Sequence, residues 1–177
     1  DWPVPREMAK KDFDHVATTF VDSAKRAVRV GFDAIELHMA HGYLLHSIAS
    51  PISNKRTDEY GAGRQAGWRY LFELAEAVRA VVPAEIPLGA RITGSDWAEG
   101  GLTADDAVAF AKGLKDARFD FVDISSGGVT ADTRNPTTAG YNVPIAERVR
   151  RETGIATRTV KRDWKFAKAW LHGEIVR

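Results

Sequence analysis

The chain contains no cysteine. Disulfides, thiolate nucleophiles and cysteine-ligated zinc or iron–sulfur centres are therefore excluded within these 177 residues. No run approaches the ~18 apolar residues that a membrane span needs. The opening DWPVPREMAKKD is charged and proline-containing, without the apolar centre of a secretory signal. It also lacks an initiator methionine, so the chain is expected to start inside a longer protein. Formal net charge is only +1, so no overall field attracts nucleic acid or an anionic membrane, and neither is expected as a partner. No G-x-G-x-x-G or Walker A pattern follows any apolar run, which weighs against a doubly wound nucleotide-binding sheet. What remains is ordinary globular composition, 44% hydrophobic and 28% charged, with enough length for one core. Zero cysteine also fits a reducing cytosol, and a cytoplasmic location is the expectation.

Periodicity supplies the elements. Phe13, Val16, Phe20, Ala24 and Val28 recur at three- and four-residue steps, the pattern of an amphipathic helix, and Gly31 is placed to end it. FDAIELH follows as a short strand. Leu71, Leu74, Ala75 and Val78 mark a second helix, ended by Pro83. IPLGARIT reads as the next strand. Thr103 and Asp106 form a variant capping box that opens a third helix through Ala107, Phe110, Ala111 and Leu114. FDFVDISS is a third strand, Pro144 begins another helix, and IATRTV is a fourth strand. Alternation of this kind predicts a parallel α/β sheet. The polar, glycine-rich loops HMAHGY, TGSDWAEGG and SSGGVTADTRNP all follow strand C-termini. That is the face on which α/β barrels and open α/β sheets carry their sites.

The densest chemistry is IELHMAHGYLLH, with three histidines and a tyrosine in one short stretch. His38 ends a strand and His41 lies on the loop after it. A zinc site of the H-E-x-x-H kind needs a glutamate between the histidines and a continuous helix; here there is no glutamate, and Gly42 interrupts. A pair of hydrogen-bonded loop histidines is the plainer alternative. The third alternative is two imidazoles donating to one carbonyl oxygen, with Tyr43 near enough to supply a proton. Arg91, on an otherwise apolar strand, needs an anionic or carbonyl partner, either an internal carboxylate or a cofactor. SPISNKRTDEYG is too rich in asparagine, arginine and acids for a plain linker, and an internally hydrogen-bonded loop is expected. Trp97 and Tyr141 are surface aromatics or the walls of a flat pocket.

Three stretches carry a family resemblance. AVRVGFDAIELHMAHGYLLHSIASPISNKRTDEYGA resembles the signature of the Old Yellow Enzyme family, the FMN-dependent NAD(P)H:flavin oxidoreductases or ene-reductases. GARITGSDWAEGGLTADDAVAFAKGLKDARFDFVDISSGG and TTAGYNVPIAERVRRETGIATRTV resemble its later segments, particularly in the bacterial branch of xenobiotic and enone reductases. The resemblance spans roughly residues 5 to 160. It implies an α/β fold of the (β/α)8 TIM-barrel type, of which this chain holds about four βα units. It also implies FMN at the barrel mouth, NAD(P)H as hydride donor and a small α,β-unsaturated substrate. By the motif, His38 and His41 would bind the substrate oxygen, Tyr43 would protonate the α-carbon and Arg91 would contact the flavin. No metal is implied. Dienoyl-CoA reductases and amine dehydrogenases are neighbours in the family, but they usually carry a cysteine-held iron–sulfur cluster.

The chain departs from the pattern in three places. YGAGRQAGWR stands where the family reads Y-G-G-S-x-x-N-R, so its Asn-Arg pair falls on Ala66 and Gly67. Arg118 stands where the helix before FDFVD usually ends in glycine. After Val160 the resemblance stops, and residues 161–177 form a divergent tail in which Trp164, Ala167, Trp170, Leu171 and Ile175 would share one helix face. A truncated, non-catalytic remnant that does not hold FMN alone is the alternative reading of residues 1–160. Association between copies stays open.

Overall fold

A computed structural model describes residues 6–61 and 66–158. The sheet is parallel and four-stranded, in the order β1-β2-β3-β4. Its strands are β1 (Ile35–Met39), β2 (Leu88–Thr93), β3 (Phe121–Ser125) and β4 (Ala156–Arg158). Helix α1 (Lys10–Val30) precedes β1, and β1 connects to β2 through α2 (Leu44–Ala49), a 3-10 turn and α3 (Arg69–Arg79). Helix α4 (Ala104–Asp116) joins β2 to β3, and α5 (Val143–Thr153) joins β3 to β4. This is the parallel α/β sheet that the strand–helix alternation predicts, a run of βα units of the TIM-barrel type that the resemblance implies. The tail from 159 to 177, with its expected helix face, lies outside the described residues.

The two faces of the sheet differ because the strand period is two. Leu37 and Met39, then Leu88, Ala90 and Ile92, then Val122 and Ile124 point to the helices and are buried. Against them pack Leu71, Leu74 and Val78 of α3, Ala107, Phe110 and Leu114 of α4, and Ile145 and Val149 of α5. Burial of each of these larger side chains contributes about 1.5–3 kcal/mol before entropy is charged. The opposite face carries Glu36, His38, Arg91, Asp123 and Ser125, none of them fully buried. In a closed barrel that face is the interior.

Local chemistry sets the helix ends. Gly31 closes α1 at φ 84°, donating its N–H to Val28 O at 3.1 Å. At the start of α4, the Asp106 carboxylate accepts from Thr103 N at 2.8 Å while the Thr103 hydroxyl accepts from Asp106 N. Loop 50–61 is internally bonded, as expected. Asn54 Nδ2 donates to Ile48 O at 2.8 Å and to Tyr60 O at 2.9 Å, Arg56 pairs with Asp58, and Tyr60 N donates to Asp58 Oδ1 at 3.1 Å. The Tyr60 ring lies 4.9 Å from Phe13 and 5.3 Å from Tyr70, so this loop fastens α1 to α3.

Arg118 adopts φ 61° where a glycine would be unstrained. A side chain in the left-handed region costs about 1–2 kcal/mol, part of which glycine gives back as unfolded-chain entropy. Arg118→Gly is therefore expected to raise stability by about 0.5–1 kcal/mol, read as a higher urea midpoint at constant slope.

Candidate active site

The site forms where the loops after β1, β2 and β3 meet. His38 is the fourth residue of β1 and points, by alternation, to the open face. His41 lies beyond the strand end in a turn that places it at φ 62° and Gly42 at φ 74°. This turn returns the chain so that the His38 and His41 rings stand 5.0 Å apart, edge to face. The Tyr43 ring is 5.3 Å from His38. Tyr43 is 64% exposed, and its hydroxyl makes no hydrogen bond among the described residues. The three residues singled out in the sequence are thus brought together, with the phenol beside His38 and exposed.

The turn is held from both sides. A side chain at Gly42 would put its Cβ 2.0 Å from Gly128 O, and one at Gly128 would lie 2.7 Å from the His41 carbonyl carbon. Two backbones therefore touch here, the β1 loop against the β3 loop, and only glycine permits it. On its other side, Gly42 N donates to His46 Nδ1 at 2.8 Å. His46 Nε2 meets Asp96 Oδ1 at 2.8 Å, and both side chains are fully buried. The other Asp96 oxygen accepts from Ser50 Oγ at 2.7 Å and Leu102 N at 2.8 Å. Burial pushes the Asp96 carboxyl up, but the bonds from His46, Leu102 N–H and Ser50 outweigh it and hold it below the ordinary range.

His41 Nε2 is in close hydrogen-bond contact with Ser125 Oγ, the last residue of β3 on the same open face. His38 and His41 are both held below the ordinary imidazole pKa. Burial is the first cause for each, followed by the Arg91 charge for His38 and by His38 and then Arg91 for His41. A histidine depressed in the folded state adds stability that is complete above its unfolded value of ~6.5 and is lost as pH falls through the folded value. Denaturant melts should therefore show stability falling as pH drops below about 6.5, with a smaller fall in His38→Ala.

Arg91 finds a carboxylate partner, one of the two alternatives its sequence position left open. It is not buried; its side chain is 41% exposed on the open face, where Nε donates to Asp123 Oδ2 at 2.6 Å. Glu36 Oε1 lies 3.8 Å away on the other side. Strand register explains the placement, since His38, Arg91 and Asp123 lie side by side across β1, β2 and β3. Trp97 and Tyr141 do meet, with rings 6.3 Å apart, and Arg134 N donates to Trp97 O at 3.0 Å. Among the described residues, no group of three His, Asp or Glu side chains is placed to hold a metal.

Sequence reasoning missed Ser125, His46, Ser50 and Asp96. Ser125 was legible as the residue two after Asp123 on the same strand face. His46 and Asp96 carry no such signal, because their partnership spans fifty residues of sequence.

Comparison with known proteins decides the relationship. The profile of the NADH:flavin oxidoreductase / NADH oxidase family matches residues 2–167. The chain belongs to this family. An NADPH dehydrogenase of Geobacillus thermodenitrificans (strain NG80-2) is 45% identical over 158 residues, covering 89% of this chain and 46% of that protein. One from Bacillus velezensis is 42% identical over 156 residues, covering 88% and 45%. The chain thus spans about half the length of the curated relatives it matches. Among solved structures, 2-naphthoyl-CoA reductase superposes with TM-score 0.78 at 24% identity, over 86% of this chain and 24% of that one. Morphinone reductase in complex with tetrahydroNAD superposes with TM-score 0.67 at 23% identity, over 86% and 40%. These likenesses concern the fold. The family is that of Old Yellow Enzyme; its cofactor is FMN and its electron donor NAD(P)H. Among the described residues no helix is long and apolar enough to cross a membrane.

The residues present suit the ring end of a flavin. Arg91 offers a donor-only guanidinium on the open face, matched to ring carbonyls, and His38 stands beside it in register.

Proposed function

We propose that this chain carries the substrate-oxygen site of an FMN-dependent NAD(P)H oxidoreductase acting on activated alkenes such as enones. The observation that supports it most is the pairing of His38 and His41 at 5.0 Å with Tyr43 beside them, at the C-terminal ends of parallel strands. Arg91 would hold the flavin, which when bound supplies hydride taken from NAD(P)H. His38 and His41, uncharged near neutral pH, each offer one N–H to the carbonyl oxygen of the substrate. They stabilise the negative charge that builds there as hydride reaches the β-carbon. The exposed Tyr43 hydroxyl then gives its proton to the α-carbon and recovers one from solvent. The alkene gains one hydride and one proton, and the carbonyl survives.

Deuterium placement tests this in a flavin-loaded barrel that contains the chain. Deuteride from labelled nicotinamide should appear at the β-carbon, and solvent deuterium at the α-carbon. Labelled alcohol at the former carbonyl would refute the reading.

A second reading has its own support. Arg91 is already paired with the Asp123 carboxylate, which lies beside it in register. Residues 1–160 would then be a partial barrel that keeps the substrate motif but holds FMN weakly on its own, and its open strand edges would favour association. Calorimetric titration with FMN, with sizing by light scattering, should give weak or absent binding to the isolated chain. A monomer that keeps stoichiometric FMN through gel filtration would contradict this.

A further inference from the structure

We infer that His46, oriented by Asp96, is the positioning residue that fixes the turn presenting His41 and Tyr43. This rests on the reading of that turn as the substrate-oxygen site. The Gly42 N–H can only donate, so His46 Nδ1 must be the unprotonated ring nitrogen, and the single proton sits on Nε2, facing Asp96 Oδ1. Asp96 therefore selects the tautomer. With the opposite tautomer, an Nδ1–H would oppose the Gly42 N–H, two donors 2.8 Å apart in a fully buried place. The turn could not keep the left-handed pair at His41 and Gly42. His41 would leave its contact with Ser125, and the His38–His41 pairing would open. Asp96 is itself fixed by Ser50 on the α2 side and by Leu102 on the loop before α4, so the tautomer is set jointly by two loops.

Asp96→Asn is the informative substitution. Its one carbonyl oxygen cannot serve both His46 and the Ser50–Leu102 pair. Facing the two donors, it turns its amide N–H toward His46 and reverses the tautomer.

The test is nitrogen-15 NMR of the 177-residue chain. In the wild type, His46 should show the Nε2–H tautomer, with a through-bond coupling between Gly42 N and His46 Nδ1. In Asp96→Asn the tautomer should reverse, and the Gly42 amide should exchange about tenfold faster while Val122 in the core is unchanged. The His41 titration should move up toward the ordinary imidazole range as water reaches the ring. A wild-type His46 protonated on Nδ1 overturns the inference without recourse to any variant. Faster Gly42 exchange with an unmoved His41 titration also overturns it, since His46 would then merely brace the loop. Titration of a flavin-loaded barrel containing the chain with p-nitrophenolate separates the two readings. If the probe leaves the His38 and His41 rings unshifted while Gly42 and His41 respond to Asp96→Asn, the substrate reading fails and the positioning holds.

Discussion

In a flavin-loaded barrel containing this chain, His38→Ala will slow enone reduction roughly a hundredfold and weaken phenol binding in parallel. Removal of one preorganised donor from a developing oxyanion typically costs about 3 kcal/mol of transition-state stabilisation. The value at His38 should reach that size because its ring is fixed on a strand rather than a mobile loop. His38 lies in register with Arg91, within a sheet whose other face is the core. His41→Ala should lose a similar amount. The double variant should lose less than the sum if, as proposed, both rings serve one oxygen. Steady-state rates for the single and double variants, with a phenol titration beside them, provide the check. Full enone turnover in His38→Ala would remove the assignment.

Tyr43→Phe carries the second large effect. It deletes a hydroxyl that bonds to nothing in the described structure, so the fold should not suffer. Alkene reduction should fall about a hundredfold or more, the usual worth of a positioned proton donor. Flavin reduction by NAD(P)H should remain close to normal, because that half-reaction takes no proton from Tyr43. Rapid mixing separates the two half-reactions. Equal damage to both would make Tyr43 a structural residue.

Much of this was written in local sequence. The Thr103–Asp106 box begins α4, Gly31 ends α1, and apolar spacing marks the buried faces of α1, α3 and α4, since each depends on residues a few positions apart. Helix α2 was not legible. It is six residues long, has Tyr43 rather than a capping side chain at its N-cap, and exposes Leu44 while burying His46, which inverts the usual pattern. Arg91 was placed on a strand, with its partner left open between a carboxylate and a cofactor. Alternation alone does not reveal that one face of β2 meets helices and the other meets Asp123 across the open face. The family motif identified His38, His41 and Tyr43, yet gave no sign of what holds them. That support comes from Gly128, Ser125 and Asp96, on loops that only the tertiary fold brings to the β1 turn.

The central claim is that two imidazoles converge on one substrate oxygen. Its most direct measurement is the carbonyl stretch of a carbon-13-labelled enone bound to the flavin-loaded barrel, isolated by difference infrared spectroscopy. Two donors should lower that frequency below its value in water, and either His38→Ala or His41→Ala should return it part of the way. A bound carbonyl at or above its frequency in water, unmoved by both substitutions, would contradict the account.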